Sequence, residues 1–407
     1  MLMPRRLRSA LLAASTVALL AGSAAAQNAE PVKIGVLLGI TGPLASFVPP
    51  ILDSIRLARD QINKQGGLLD KRTLDLVTAD TQTTAQGAVD AANKLVGVEN
   101  VAAILGGLSS GGTLAAASSV AVPNGVPMVS PTATSPELTT LDDKDYLFRV
   151  VPGDDYQGKV LARIVKEDGL DKVAVTYVNN DYGVGIASAF KREFEQAGGT
   201  VTGFQAHEEN KSSYRSELAT LAGGDARALV VVGYAGGSGV TIIRQALENG
   251  FFDRFIGTDG MRDALLIQQI GGDNLASTFF TAPASPPESE AQATFAKAYA
   301  AAFETTQDKL FIQQAYDALM VLALAIEKAG STDRDAIRDA LRDVANAPGE
   351  KILPGEWEKA KKLIADGQDV DYEGAGGPQD FDENGDVAGF IGKYVVENNS
   401  FKEVGVY

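Results

Sequence analysis

Glycines, hydroxyls, two tyrosines and a carboxylate gather in a few short segments of the chain. Gly106-Gly107-Leu108-Ser109-Ser110-Gly111-Gly112-Thr113 joins glycines to serines, and Ser130-Pro131-Thr132-Ala133-Thr134-Ser135-Pro136-Glu137 joins hydroxyls to prolines. Later come Asn179-Asn180-Asp181-Tyr182-Gly183, Gly233-Tyr234-Ala235-Gly236-Gly237 and Thr258-Asp259-Gly260. A glycine- and serine-rich helix start offers unpaired N–H groups, a dipole and a hydroxyl, which favour an anion such as a carboxylate. Ordinary capping by Ser109 or Ser110 accounts for the same residues. The segment 130–137 is either a plain turn or a second hydroxyl contact on that anion. Tyr182, Tyr234 and Asp259 offer the complement, a carboxylate for a cation between aromatic walls. A zwitterion held between the two sets satisfies both.

Other chemistry is excluded by what is missing. The chain of 407 residues has no cysteine and a single histidine, His207, which removes thiol nucleophiles, thiolate metal sites and multi-histidine metal sites. A Ser-His-Asp hydrolase would have to use His207, which stands beside Glu208 and Glu209 and reads as a solvated surface residue. Gly236-Gly237-Ser238-Gly239 only superficially resembles a nucleophile elbow. Gly39-Ile40-Thr41-Gly42 lacks the G-x-G-x-x-G spacing, and no Walker lysine follows. Asp380 to Asp386 begins like a calcium loop, but Ile391 stands at its twelfth position; Asn384-Gly385 reads as a tight turn between strands. No cofactor or metal is expected. With 36 basic and 52 acidic residues and a net charge of −16, the surface repels phosphate backbones, so nucleic acid is not an expected partner.

These segments need elements to position them, and each follows a strand-like run. Val32–Leu38, Leu74–Thr78, Val101–Leu105 and Val126–Val129 alternate with helical patterns over 51–62, 85–96 and from 111 onward. The order strand, helix, strand predicts a parallel sheet covered on both faces. After Pro152 the rhythm restarts: helix 156–167, strand 173–178, a helix through Phe190 and Phe194, strand 201–205, helix 213–221, strand 228–232, helix 240–248 and strand 254–257. The remainder reads as helices 290–304, 309–328, 332–344 and 356–365, and then as strands around a turn in Phe381–Val406. The expected fold is α/β, with two doubly wound parallel-sheet lobes and a cleft beyond the carboxyl ends of their strands. Gln313, Gln314 and Asp317 make 309–328 a buried helix rather than a membrane span.

The N-terminus reads as a signal peptide. Arg5, Arg6 and Arg8 precede the apolar run Ala10–Ala21 and the small residues Ser23-Ala24-Ala25-Ala26, with a cut expected after Ala26. The apolar run is too short to span a bilayer, which takes ~20 residues. Removal of the three arginines makes the mature protein more acidic still. Export to a bacterial periplasm is expected, and Arg5-Arg6 leaves the Sec or Tat route open.

Taken together, VKIGVLLGITGPLASF (32–47), ILGGLSSGGTLAAA (104–117), GVPMVSPTATSPELT (125–139), LFRVVPGDDYQG (147–158), VNNDYGVG (178–185), FIGTDG (255–260) and GPQDFDENGDVAGF (377–390) resemble the type I periplasmic binding proteins, in particular the leucine/isoleucine/valine-binding subfamily of ABC importers. The resemblance implies two lobes, 27–148 plus 281–376 and 149–280 plus 377–407, joined by a hinge of three crossovers. It implies that Ser110 and Thr134 hold the α-carboxylate of an amino acid. Backbone at Thr132 and the Asp259 carboxylate would face the ammonium, and Phe47, Leu108, Tyr182, Tyr234 and Phe311 would line the side-chain pocket. It further implies a monomer that performs no chemistry and delivers its ligand to ABC permease subunits in the inner membrane. Readings left beside it are the same fold taking an amide, urea or aromatic acid, a sensory ligand-binding protein, and a hydrolase based on His207. Against the family pattern, Asp259 replaces a glutamate and reaches about 1.5 Å less. Phe47 replaces a tyrosine, and Gly236-Gly237 replaces bulkier residues, which would enlarge the site. The stretch 348–376 has no functional reading.

Overall fold

The computed structural model describes residues 30–407 apart from residue 70 and residues 305–308; the expected signal peptide and its cut after Ala26 lie outside the described residues. The first sheet holds β1 (Val32–Leu38), β2 (Leu74–Asp80), β3 (Ala103–Gly106), β4 (Met128–Ser130) and β5 (Leu147–Arg149), all parallel, in the order β2-β1-β3-β4-β5. Near-continuous apolar runs such as VKIGVLL suit a strand buried on both faces. Leu37, Ile104, Met128 and Leu147 pack with Ala88, Ala92 and Leu95 of helix Ala85–Gly97. Ile34, Val36, Leu105 and Val129 join the core that includes Ile51 and Ile55 of helix Val48–Lys64 and Leu319 of helix Ile312–Ala329.

The second sheet begins with β6 (Lys172–Val178), β7 (Thr200–His207), β8 (Leu229–Val232), β9 (Phe255–Gly257) and β10 (Phe279–Ala284). A small sheet of β11 (Glu350–Ile352), β12 (Val370–Gly374) and β13 (Gly377–Pro378) stands apart, and β14 (Phe390–Glu397) and β15 (Ser400–Val406) complete the large one. Its order is β15-β14-β10-β9-β8-β6-β7, parallel from β7 to β10 and antiparallel beyond. Strand β10 has no counterpart in the sequence pattern, because Pro283 marks an edge or a break. The structure resolves this: β9 pairs only with Phe279 and Phe280, so Pro283 sits past its end with β14 alone beside it. The hairpin turn of the tail is Asn398-Asn399, both left-handed at φ 51° and 55°, as a type I′ turn requires. Asn384-Gly385 closes a smaller turn with a single bridge between Phe381 and Val387.

The chain crosses between sheets after Arg149, after Ala284 and between Pro378 and Phe390. The first two crossings lie slightly beyond the boundaries 148/149 and 280/281 expected from the sequence, because β5 and β10 run on in their own sheets. The crossings touch. Ser285 Oγ donates to Ala375 O at 2.8 Å, and Arg149 Nε and Nη2 reach Asp386 at 2.6 and 2.5 Å. This is the use made of the calcium-like segment: Asp382 braces its own turn by accepting from Asn384 N and Asp386 N, and Asp386 takes Arg149.

The stretch 348–376 also acquires an account. Its helix Trp357–Ala365 docks on the first lobe: fully buried Trp357 donates from Nε1 to Gly67 O at 3.1 Å, and Glu358 N donates to Gln65 Oε1 at 2.9 Å. Trp357→Ala leaves a large cavity, while Gly67 O keeps its bond from Lys361 Nζ, so it is expected to destabilise the protein by about 3–5 kcal/mol. Urea unfolding checks this as a lowered midpoint at unchanged slope; an unchanged midpoint refutes it.

Candidate functional site

The carboxyl ends of the two sheets face each other. In the second sheet Tyr177 stands level with Val232 and Val231 with Gly257, so the segments after β6, β8 and β9 emerge side by side. In the first, Leu37 stands level with Gly106 and Ile104 with Met128, which aligns the segments after β3 and β4. Between them lies a small cavity lined by Leu44, Phe47, Leu108, Ser109, Ser110, Thr132, Tyr182, Tyr234, Asp259, Gly260 and Phe311. Of the ligand-site residues expected from the sequence, all but Thr134 are on this wall. Thr134 lies outside the lining, buried, with a hydroxyl that has no hydrogen-bond partner.

On the first lobe both readings of the serine pair apply, each to a different residue. Ser109 is the N-cap of helix Ser110–Ala116, accepting from Gly112 N at 3.3 Å. Ser110 Oγ accepts from Ser135 N at 3.2 Å, which leaves its own hydroxyl hydrogen to donate. Thr132 Oγ1 donates to Leu108 O at 2.8 Å, so its side chain braces the loop.

On the second lobe Asp259 is the centre. Its Oδ1 accepts from Tyr182 Oη at 2.8 Å and from Gln157 Nε2 at 3.0 Å. Tyr182 also contacts Thr258 Oγ1 at 2.7 Å and stacks on Tyr234, ring centroids 5.3 Å apart. Burial pushes the Asp259 carboxyl up from 3.8 to about 6, against the lowering by these hydrogen bonds. Gln157 was missed in the sequence. It lies in the quoted run LFRVVPGDDYQG, where it reads as the polar face of a helix. Phe311 carries a left-handed φ of 67° at the start of helix Ile312–Ala329, a conformation that aims a bulky ring into the site at a cost in backbone strain.

The cleft is shut. A Cβ on Gly111 would meet Asp181 Oδ2 of the other lobe at 2.3 Å, and one on Gly236 would meet Pro43 O at 2.6 Å. Ser46 Oγ donates to Asp263 across the rim. The expected enlargement by Gly236-Gly237 does not occur, because Pro43 and the Glu209 carboxylate, 2.0 Å from a Cβ on Gly237, fill that space. His207 is likewise not a solvated residue. It is buried, with Nδ1 2.8 Å from Thr176 Oγ1 and Nε2 2.8 Å from Ser238 Oγ. Burial lowers its pKa to about 4. The serine that a hydrolase needs is in reach, but a threonine stands where a carboxylate would orient the ring, and neither residue lines the cavity. Among the described residues no cluster of metal-ligating side chains occurs and no helix is long and apolar enough to cross a membrane.

Comparison with known proteins decides the family. The model described as periplasmic binding protein matches residues 31–386. The chain belongs to the periplasmic binding protein family, in its Leu/Ile/Val-binding branch. It is 33% identical to the Leu/Ile/Val-binding protein BraC3 of Rhizobium johnstonii over 82% of this chain and 94% of that one. It is 30% identical to the leucine-, isoleucine-, valine-, threonine-, and alanine-binding protein of Pseudomonas aeruginosa, over 77% and 83%. The crystal structure of a leucine binding protein, LivK, from Thermotoga maritima superposes with a TM-score of 0.77 at 28% identity, over 92% of this chain and 98% of that one. These are substrate-binding proteins rather than enzymes, and the type I fold of the family is the two-lobed architecture described above.

For this periplasmic binding protein the raised Asp259 value fixes a sign. Its folded value lies above its unfolded one, so protonation contributes stability that is complete below about pH 3.8 and is lost as pH rises through about 6. In ligand-free protein that keeps the cleft shut, Asp259→Asn is therefore expected to gain on the wild type by about 2 kcal/mol between pH 4 and pH 8. Urea unfolding at both pH values measures it. A difference that stays flat with pH removes the buried charge from the account.

Proposed function

We propose that the protein is the periplasmic substrate-binding component of an ABC importer. It takes an amino acid with a branched-chain or related aliphatic side chain and delivers it, as a monomer, to a membrane permease after export and cleavage following Ala26. The two bodies that close on the ligand correspond to the lobes described above. The observation that carries the reading is Asp259, a buried acid without a cationic partner, set across an apolar and aromatic cavity from Ser110. An amino acid spans that gap with its carboxylate at Ser110 and the helix start, its ammonium at Asp259 and the backbone of Thr132, and its side chain against Phe47, Leu108, Tyr182, Tyr234 and Phe311. Thr134 serves the same polar end from behind the wall. Closure removes water, which strengthens the carboxylate–ammonium pair. An amide or urea offers no charge to Asp259 and an aromatic acid only a like charge, so each leaves it unpaired.

Calorimetric titration of leucine, isoleucine, valine, alanine, acetamide, urea and benzoate tests the reading. The aliphatic amino acids are expected to bind and the others not. Asp259→Ala is expected to weaken that binding about 10²–10⁴-fold, the cost of stranding a buried ammonium. Preference for a neutral or purely anionic compound, or unchanged affinity in the variant, defeats it.

A further inference from the structure

The single histidine sits in a run of polar side chains packed against the segment that carries Tyr234. Thr176 comes from β6, His207 ends β7, Glu209 follows it, and Ser238 lies after β8. The first two and Ser238 are buried, and Glu209 is half-buried. Thr176 Oγ1 meets His207 Nδ1 and His207 Nε2 meets Ser238 Oγ, each at 2.8 Å, and Ser238 Oγ donates to Glu209 Oε1 at 3.3 Å.

These bonds have one direction. Ser238 has a single hydroxyl hydrogen, and an ionised Glu209 can only accept it. The hydrogen between His207 Nε2 and Ser238 Oγ therefore belongs to the ring. Burial lowers the ring's pKa to about 4, so the imidazole is neutral and its other nitrogen is bare. Nδ1 then accepts from the Thr176 hydroxyl. Burial pushes the Glu209 carboxyl up to about 7 against hydrogen bonds from Ser238, so the acid is an ionised acceptor in mildly alkaline solution.

The segment at the end of this run needs holding. Four of the seven residues in Gly233-Tyr234-Ala235-Gly236-Gly237-Ser238-Gly239 are glycines, the residues that lose most backbone freedom on folding. The amides of Gly237 and Gly239 both donate to Tyr234 O at 3.0 Å, which ties the segment only to itself. Tyr234 Oη accepts from Asn180 Nδ2 at 3.4 Å, a long contact. Ser238 is the side chain that ties the segment to β7. Gly233 rests on the same group, since a Cβ there would lie 3.4 Å from Ser238 Oγ and 3.5 Å from His207 Nε2. Two features of the shut cleft stand on this segment, the Tyr234 ring in the cavity wall and Gly236 against Pro43 of the other lobe.

We propose that Thr176, His207, Ser238 and Glu209 form a hydrogen-bond relay of fixed direction that positions residues 233–239, and through them the Tyr234 wall that grades ligand side chains. None of the four lines the cavity, so each is a positioning residue. Only the effect on ligand choice rests on the amino-acid reading of the cleft.

Because the chain has one histidine, an imidazole labelled with nitrogen-15 gives a magnetic resonance signal that needs no assignment. At about pH 8.5 the ligand-free protein is expected to show the Nε2–H tautomer. Glu209→Ala and Ser238→Ala are expected to speed amide hydrogen exchange in 233–239 about tenfold or more. Glu209→Gln keeps an acceptor oxygen and is expected to stay near wild type. In calorimetric titration both alanine variants are expected to lower the leucine-to-alanine affinity ratio about five- to tenfold, because alanine barely reaches the wall. An Nδ1–H tautomer, unchanged exchange in both alanine variants, or a Glu209→Gln protein as loose as Glu209→Ala overturns the relay. Faster exchange with an unchanged ratio, or lost thermal stability with both unchanged, overturns its hold on the wall. If neither leucine nor alanine binds the wild type, the amino-acid reading falls, while tautomer and exchange still decide the relay.

Discussion

A carboxylate shut away from water without a cationic partner among the described residues is the constraint on which the rest of this structure turns. Desolvating a lone ion costs several kcal/mol even after relaxation. Asp259 meets that cost in part by accepting from Tyr182 and Gln157, yet its carboxyl still titrates near 6. A two-lobed protein can lower the cost by opening and hydrating the acid. A guest carrying positive charge lowers it by pairing inside the closed form. The same acid thus penalises empty closure and rewards filled closure, which is the differential affinity a ligand must have to shift a conformational equilibrium.

The fold supplies the geometry this requires. Parallel strands end at one edge of each sheet, and the segments leaving β3, β4, β6, β8 and β9 converge on the gap. The crossings beside it are tied to one another rather than to the cleft: Arg149 binds Asp386, and Ser285 binds Ala375. The crossings are tied together at one side, while at the rim the lobes meet at Gly111–Asp181, Pro43–Gly236 and Ser46–Asp263. Such an arrangement suits a hinge, in which large displacement at the mouth needs only small dihedral changes at the root.

Much of this was legible in the sequence for physical reasons. Apolar runs and helix spacing marked the alternating elements of both lobes, since a strand buried on both faces has little choice of residue. Strand ends flagged the cavity wall, because open α/β sheets bind there. What escaped depended on tertiary context. Strand β10 was hidden by Pro283, which is tolerated only because β9 stops short. His207 looked solvated between acidic neighbours, yet Thr176 and Ser238 satisfy both ring nitrogens in the interior. Gly236 and Gly237 looked like vacated volume, and volume is a property of what comes opposite, here Pro43 and Glu209. Gln157 and Asp154 looked like the polar start of a helix, and nothing local tells a buried polar face from a wet one.

The two ends of the cavity differ in how sharply they can choose. Aromatic and aliphatic walls discriminate a methylene by only about 1–3 kcal/mol, whereas buried polar groups left without a partner penalise the wrong guest far more. On the proposed reading Phe47, Leu108, Tyr234 and Phe311 would grade side chains within a class, and Asp259 would decide the class. Asp259 is shorter than the glutamate of the pattern it resembles, which would sharpen this division. A shorter side chain cannot follow a displaced nitrogen, and the stacked Tyr182 and Tyr234 rings and the Gln157 amide hold it where it stands. Breadth in the side chain and strictness at the nitrogen thus follow from one arrangement.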